Sequence, residues 1–303
     1  MVEHPASEPQ PAPQAGDGPG SPGEEGTPTR VDPSWEPPIE IDSSVAHAVR
    51  MYDYLLGGGN NFAVDRDAVK RAAAAVGGIE NARANVRANR AFLRRAVRYL
   101  AGEAGIRQFL DIGCGIPDSD NTLAVARQVA PGARVVYVDN DPIVLAHAHA
   151  LLQGDPRGTA YVDADLRDTR RIIRSAAATL DLDRPVAIVL GAILHVVGDD
   201  DDPDGMVARL VDAVPAGSHV AISHLTADIQ PETADLVARL NRMARETFVL
   251  RDRTRFSRLF NGLELVEPGV VQVDEWRPDA DRPSPPDGWV PSLYGAVGRK
   301  PPA

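Results

Sequence analysis

The chain reads as an α/β protein built on an open, mostly parallel sheet of the Rossmann-like type, with helices on both faces and a nucleoside site at its first strand. Three observations predict this class. Phe109-Leu110-Asp111-Ile112-Gly113-Cys114-Gly115-Ile116-Pro117 is a short apolar strand that runs into a turn with glycine at alternate positions, and a helical stretch follows from near Asn121. Glycine there permits a sharp turn and lets a ligand approach where a Cβ would collide. The next strand, Ala133-Arg134-Val135-Val136-Tyr137-Val138-Asp139, ends on a carboxylate, as a ribose-binding strand does. From residue 107 onward, strand-like and helix-like segments alternate, which implies parallel strands joined by right-handed crossovers.

Taken in order, the first segment, 1–38, is rich in proline, glycine, serine and glutamate, with almost no large apolar side chains. It cannot bury enough surface to offset its ordering entropy and is expected to be disordered. In 41–62, Ser43 or Ser44 can cap a helix with Val45, Val49, Tyr52 and Leu56 at helical spacing, and Gly57-Gly58-Gly59-Asn60-Asn61 ends it. A short helix is predicted over 65–76, closed by Gly77-Gly78. The clearest amphipathic helix spans 82–103: Val86, Leu93, Val97 and Leu100 share a face beside a stripe of Arg83, Arg87, Arg90, Arg94 and Arg98. Strands are predicted at 107–112, 134–139, 159–163, 185–194 and 218–224. Helices are predicted at 231–250 and 253–260. Two β-rich pieces, 263–273 and 292–299, flank a proline-rich loop at 278–288 and suit an antiparallel hairpin on one sheet edge. There is no internal repeat.

Composition narrows the partners. Of 303 residues, 43% are hydrophobic and 25% charged, as in soluble globular proteins, and the net charge of −11 repels nucleic acid and anionic membranes. The single cysteine, Cys114, excludes an intrachain disulfide and a multi-cysteine metal site. No apolar run approaches a membrane span, and the N-terminus lacks a charged-then-apolar signal pattern, so a cytoplasmic protein is expected.

The ligand follows from the turn. A dinucleotide fold wants Gly-x-Gly-x-x-Gly, but the third position here is Asp118, a carboxylate that would repel a pyrophosphate at a helix N-terminus. A nicotinamide dehydrogenase is disfavoured on this ground. S-adenosylmethionine, with an α-amino carboxylate and a sulfonium but no phosphate, suits the turn better. Asp111 can face its ammonium group, and Asp139, with Asn140 beside it, can accept the ribose hydroxyls. After the third strand, Asp163-Ala164-Asp165-Leu166 can offer a carboxylate to the adenine amino group and an apolar side chain to its face. The plainer alternative is that each acid merely caps the next helix.

Longer stretches resemble one bacterial S-adenosyl methyltransferase family, formerly known only as a domain of unknown function. They include Val49-Arg50-Met51-Tyr52-Asp53-Tyr54-Leu55-Leu56-Gly57-Gly58, Asn61-Phe62-Ala63-Val64-Asp65-Arg66 and Ala88-Asn89-Arg90-Ala91-Phe92-Leu93-Arg94-Arg95-Ala96-Val97. They continue with Val136-Tyr137-Val138-Asp139-Asn140-Asp141-Pro142, Asp163-Ala164-Asp165-Leu166-Arg167-Asp168, Leu194-His195, Ser223-His224 and Glu267-Pro268-Gly269-Val270-Val271. The resemblance runs from about Ile41 to the C-terminus. It implies a class I methyltransferase sheet of seven strands, the last pair antiparallel, with an N-terminal helical cap. The expected organisation is a tail at 1–38, a cap or lid at 39–104 and a cofactor-binding core at 105–303. The family pattern carries a Lys-Asp pair where Gly59-Asn60 stand here, so a role for that pair does not carry over. No acceptor is implied, because the family's acceptors are largely unassigned.

Methyl transfer from a sulfonium needs alignment, exclusion of water and sometimes a base. His195 ends the fourth strand and His224 the fifth, neighbours at roughly 5 Å in the expected strand order. Either is a candidate base, and either can instead be a structural histidine bonded to loop backbone. Tyr52, Asp53, Asn61, Phe62, Asp65 and Arg66 lie on the pre-sheet segment and are expected to form a lid, with Tyr52 near the cofactor. Arg90 can reach the cofactor carboxylate, although arginine stripes are more often solvated. Asp199-Asp200-Asp201-Asp202 reads as a wet helix cap rather than a metal site, and Cys114 as a small side chain filling a tight space. The expectation is a methyltransferase moving a methyl group to an oxygen or nitrogen of a small molecule. The alternative is a non-catalytic S-adenosylmethionine- or S-adenosylhomocysteine-binding regulatory or partner protein.

Overall fold

The structure is a computed structural model and describes residues 41–152, 158–279 and 289–302. The expected 1–38 tail and most of the proline-rich loop lie outside the described residues.

Three helices precede the sheet: α1 (Ala48–Leu56), α2 (Ala63–Ala73) and α3 (Ile79–Gly102). The alternating part follows as β1 (Gln108–Ile112), α4 (Thr122–Val129), β2 (Arg134–Asp139), α5 (Pro142–Leu152), β3 (Thr159–Asp163), α6 (Thr169–Ala176), β4 (Ala187–Gly191), α7 (Pro203–Asp212) and β5 (His219–Leu225). Helices α8 (Thr233–Leu240) and α9 (Arg253–Arg258) lead into β6 (Glu264–Leu265), β7 (Val271–Gln272) and β8 (Leu293–Arg299). The sheet order is β3-β2-β1-β4-β5-β8-β6, with β7 also on β8. Strands β1 to β5 pair in parallel and β8 runs antiparallel between β5 and the last edge. Strand order reverses between β1 and β4, and a ligand crevice is expected there, beyond the carboxyl ends.

The sheet has eight strands where seven were expected. The extra one comes from the predicted 263–273 strand, which pairs with β8 in two short pieces. From Leu265 to Val271 it advances six residues while β8 advances only three, from Gly298 to Gly295. Pro268, with no N–H to donate, and Gly269, at φ 82°, occupy the bulged interval.

Burial on both faces explains why the central strands read as continuous apolar runs. Leu110, Ile112, Val136, Val138, Ile188, Leu190, Val220 and Ile222 fill one face with α6 and α7. The alternate residues Phe109, Val135, Tyr137, Ala187, Val189 and Ala221 fill the other, against Phe92, Ala96, Val97 and Leu100 of α3. A third cluster joins Met51 of α1, Ala68 and Val69 of α2, Val237 of α8 and Phe248.

Three boundaries differ from expectation. The predicted 231–250 helix stops at Leu240, because the Asn241 side chain accepts from Phe248 N at 2.8 Å and donates to Phe248 O at 2.9 Å, closing the chain into a loop. Neither serine caps α1: Ser44 bonds Asp42, Ala46 bridges to Ala244, and His47 stands at the N-cap with its ring turned to other partners. Strand β4 ends at Gly191, whose missing Cβ makes room for Leu93. Ala192 then adopts φ 53°, which turns the chain into a single helical turn at Leu194–Val196. Among the described residues, no helix is long and apolar enough to cross a membrane.

Candidate functional site

A cleft of about 1250 Å³ opens at the carboxyl ends of β1, β2 and β4 and is roofed by α1, α3 and the loop after α8. Its floor is the glycine turn. Gly113 sits at φ 70° and Gly115 at φ 67°. A Cβ on Gly113 would lie 2.5 Å from Ile193 Cγ1, so that glycine permits the turn to pack on the post-β4 loop. A Cβ on Gly115 would meet open space, which is where a ligand can come close to backbone.

Carboxylates hold the turn. Asp139 is 6% exposed; its Oδ2 accepts from Gly115 N at 2.9 Å and its Oδ1 from Asp141 N at 3.0 Å. Each oxygen keeps acceptor capacity for a hydroxyl, and burial pushes the acid above its usual range. Asp111 accepts from Thr122 Oγ1 at 2.6 Å, and burial pushes it up to about 6. Helix α4 begins at an Asn121 cap, whose side chain accepts from Ala124 N at 3.0 Å. Cys114 also lines the cleft, and burial raises its thiol well above the ordinary value, so it is no nucleophile.

Tyr52, Arg90, Asp111, Gly113, Gly115, Asp139, Asn140, Asp165, Leu166 and His195 all line this one cleft. Asn140 Nδ2 donates to Asp165 Oδ2 at 3.2 Å, and Arg167 joins Asp165 to Asp201. Arg90 reaches from α3 with Nη2 held by Asp118 at 2.6 Å, so it comes to the site already paired. The Tyr52 hydroxyl accepts from Asn89 Nδ2 at 2.9 Å and donates to Val86 O at 3.3 Å.

Two expected site residues do not join them. Asp163 is exposed and off the cleft wall: β3 is the sheet edge, so the residue in register with Asp139 lies one strand too far from the switch point. His224 is 1% exposed and off the wall as well; its Nδ1 lies 2.7 Å from Leu225 O and its Nε2 2.8 Å from Arg251 Nη1. With both nitrogens occupied and burial lowering it to about 3, it is held by the structure around it and does not face the cleft. His195 is different. It is 7% exposed, lines the cleft, stacks on Phe248 at 5.5 Å, and has no partner at Nδ1. Burial, with His224 and Arg251 nearby, lowers it to about 3, so the ring is neutral.

Of the expected lid residues, Asp53 lines the cleft and organises the glycine hinge, accepting from Asn60 N and Asn61 Nδ2, each at 2.8 Å. Asn61, Phe62, Asp65 and Arg66 do not line it. Fully buried Asp65 accepts from Phe62 N, His47 N and Arg50, which ties α1 to α2. Three acids of the run are engaged: Asp199 binds Arg251 and Arg255, Asp201 binds Arg167, and Asp202 caps α7 through Gly205 N. Among the described residues, no group of three or more His, Cys, Asp or Glu is arranged to hold a metal ion.

Sequence reasoning missed three contributors. Arg251 is 2% exposed and donates to Leu194 O, Val197 O and Asp199, bracing the loop that carries His195. Asn89 accepts from Ser223 Oγ at 2.6 Å, and Ser223 in turn accepts from Ala192 N at 3.0 Å, which fixes the left-handed residue after β4. His47 lies between Asp141 Oδ2 at 2.8 Å and Glu246 Oε1 at 2.7 Å, joining α1 to the loops after β2 and α8. No local pattern marks these residues; of them only Asn89, with its partner Ser223, lay in stretches that carry the family resemblance.

Aspartates at two strand ends, an open glycine turn and a neutral histidine in one cleft suit a nucleoside-type ligand on an open α/β sheet. Residues 34–301 match the S-adenosyl methyltransferase family. A DUF574 family protein from Streptomyces avermitilis MA-4680 is 44% identical, with 86% of this chain and all (100%) of that one covered, at a TM-score of 0.80. A protein from Thermobifida fusca YX, described as a candidate methyltransferase, is 40% identical over 86% of this chain and 97% of its own, at a TM-score of 0.78. No curated protein matches. The chain belongs to the S-adenosyl methyltransferase family, and its cofactor is S-adenosylmethionine. The site's residues fit that group. Half-buried Asp111 and buried Asp139 suit an ammonium and a ribose, and the open face of Gly115 lets a ligand come close to the backbone.

Proposed function

We propose that the protein transfers a methyl group to an oxygen or nitrogen of a small molecule. The observation that carries this reading is the single cleft in which the cofactor-side carboxylates and His195 share a wall. In it, Asp111 would hold the cofactor's ammonium group, Asp139 its ribose, Asp165 and Leu166 its adenine, and Arg90 its carboxylate. When bound, S-adenosylmethionine supplies an electrophilic methyl group on a sulfonium that departs as a neutral thioether. Helices α1 and α2, hinged at the glycines 57–59, serve as the lid that excludes water. His195 orients the acceptor and, for an oxygen acceptor, receives its proton, since a protonated ether is acidic enough to protonate even a weakly basic imidazole; an ammonium product would release its proton to solvent. Arg251 acts through the loop it braces and not by contact with substrate.

The same reading makes the protein cytoplasmic, without nucleic-acid or membrane partners, on the support of its charge of −11. The rival reading, cofactor binding without turnover, gains from the low basicity of His195. Labelled S-adenosylmethionine incubated with the full-length protein and fractionated metabolite extract separates them. Transfer of label to a small molecule supports the enzyme; saturable binding with no labelled product in any fraction supports the binding protein.

A further inference from the structure

The cleft is larger than its cofactor requires. A pocket for one drug-sized ligand measures about 300–1,000 Å³, and this cavity measures about 1250 Å³. The space away from the glycine turn is walled mainly by apolar side chains. Met51 and Leu55 from α1, Val69 from α2, Leu236 and Leu240 from α8, and Phe248 all line it and belong to one apolar cluster. Leu55, Leu236 and Leu240 are only partly buried, and they lie on the cleft wall.

The charged groups of the cleft are largely spent on one another. His47 is held by Asp141 and Glu246, Arg90 by Asp118, Arg94 by Asp120, and Arg167 by Asp165 and Asp201. Arg87 and Arg245 have no carboxylate partner among the described residues, and both are exposed. Tyr52 and Asn89 satisfy each other, and Asn89 is further tied to Ser223. His195 and Thr233 are the exceptions. The His195 ring, in the turn after β4, lies flat on Phe248, 22° from parallel, with Nδ1 buried and unpartnered, and the Thr233 hydroxyl of α8 is likewise buried and unpartnered on the cleft wall.

A mainly apolar chamber with two uncommitted neutral hydrogen-bonding groups, His195 and the Thr233 hydroxyl, selects its guest by chemistry. A sugar, peptide or nucleotide would leave several polar groups unpaired there. An ammonium would find no open carboxylate beside His195, whereas a hydroxyl can donate to the neutral imidazole. Resting on the methyltransferase reading, we propose that the acceptor is an apolar, uncharged hydroxy compound, its skeleton against Leu55, Leu236, Leu240 and Phe248 and its hydroxyl on His195.

Binding tests this without turnover. The full chain, saturated with S-adenosylhomocysteine, is titrated by calorimetry with 2-naphthol, naphthalene, 2-naphthoate and 2-naphthylmethylammonium, and with the same four head groups on a cyclohexylphenyl skeleton. At least one neutral hydroxy compound should bind about tenfold tighter than its three partners, the size of one good hydrogen bond. His195→Phe should erase the preference for hydroxyl over hydrogen while the skeleton still binds. Leu240→Gln should weaken every member at least tenfold with S-adenosylhomocysteine affinity unchanged; Leu236→Gln serves if that variant does not fold. A preference for the carboxylates, which would put Arg87 or Arg245 in charge, overturns the proposal, as does a preference for the ammonium compounds. So does no binding by any member while S-adenosylhomocysteine still binds. Loss of S-adenosylhomocysteine binding by the unaltered protein would instead sink the methyltransferase reading itself.

Discussion

The carboxylate of Asp111 offers the sharpest test of how the cofactor is held. Burial raises it from the ordinary 3.8 to about 6, even with Thr122 Oγ1 donating to it at 2.6 Å. An acid raised in the folded state is easier to keep protonated there. Its penalty is absent below pH 3.8, where both states carry the proton, and is fully present once the pH exceeds about 6. Over that interval the penalty amounts to roughly 3 kcal/mol. An ammonium placed against the ionised carboxylate relieves this cost and forms a charge-assisted bond of about 1.5–3 kcal/mol.

Asp111→Asn should therefore weaken S-adenosylhomocysteine binding roughly 10- to 150-fold at pH 8. The empty variant should be more thermostable than the wild type at that pH, by up to roughly 3 kcal/mol less about 1 kcal/mol for the altered Thr122 bond. Calorimetric titrations from pH 5 to 8 give the second arm. Wild-type affinity should be flat above pH 6 and fall about tenfold per pH unit below it, as one proton competes with the ligand. Asp139 is also raised by burial, so some slope survives in Asp111→Asn, and the difference between the two slopes belongs to Asp111. Equal slopes, or an unchanged affinity in the variant, would refute the ammonium contact.

Other outcomes follow from the same geometry. Gly113→Ala places a Cβ 2.5 Å from Ile193 Cγ1 at φ 70°; a loss of about 1–3 kcal/mol in denaturant unfolding and of cofactor affinity is expected. Arg251→Leu leaves the carbonyls of Leu194 and Val197 without their donor and should cost about 2–6 kcal/mol, read by the same unfolding assay. Burial would lower His47, but its bonds to Asp141 and Glu246 prevail and raise it to about 9. Its stabilisation is complete below pH 6.5 and lost as the pH rises through about 9, so amide exchange in α1 should quicken between pH 8 and 10, and not in Glu246→Gln to the same extent. His195, His219 and His224 are lowered to about 3, 4 and 3, so each favours the unfolded chain as it protonates. The melting temperature should start to fall as pH drops below 6.5.

What was legible in the chain was what local physics decides. The central strands announce themselves because both of their faces are buried, and the turn because only glycine takes φ 70° and 67° at alternate positions. Asp111 and Asp139 were legible for the same reason, as acids closing strands whose place in the sheet the crossover rule fixes. Asp163 shows where that reasoning stops. It has the same motif position as Asp139, yet the third strand lies at the sheet edge, and exposure is a property of strand order and not of the strand. His224 and His195 make the point more strongly, since the sequence reads both as strand-end residues and both are buried. What separates them is Arg251, which occupies His224 Nε2 from 27 residues away in the chain and braces the backbone beside His195 without touching its ring. A helix read through 231–250 would also have hidden this, because Arg251 reaches the loop only after Asn241 turns the chain back. The helices that wall the acceptor end have the same limit: α1, α2 and α8 each look like ordinary amphipathic segments, and only their meeting leaves Leu55, Leu236 and Leu240 facing a cleft. Cofactor recognition sits in contiguous motifs because one turn and its neighbouring strand ends create it. Acceptor recognition is assembled from distant segments, so its chemistry becomes readable only when the walls stand together.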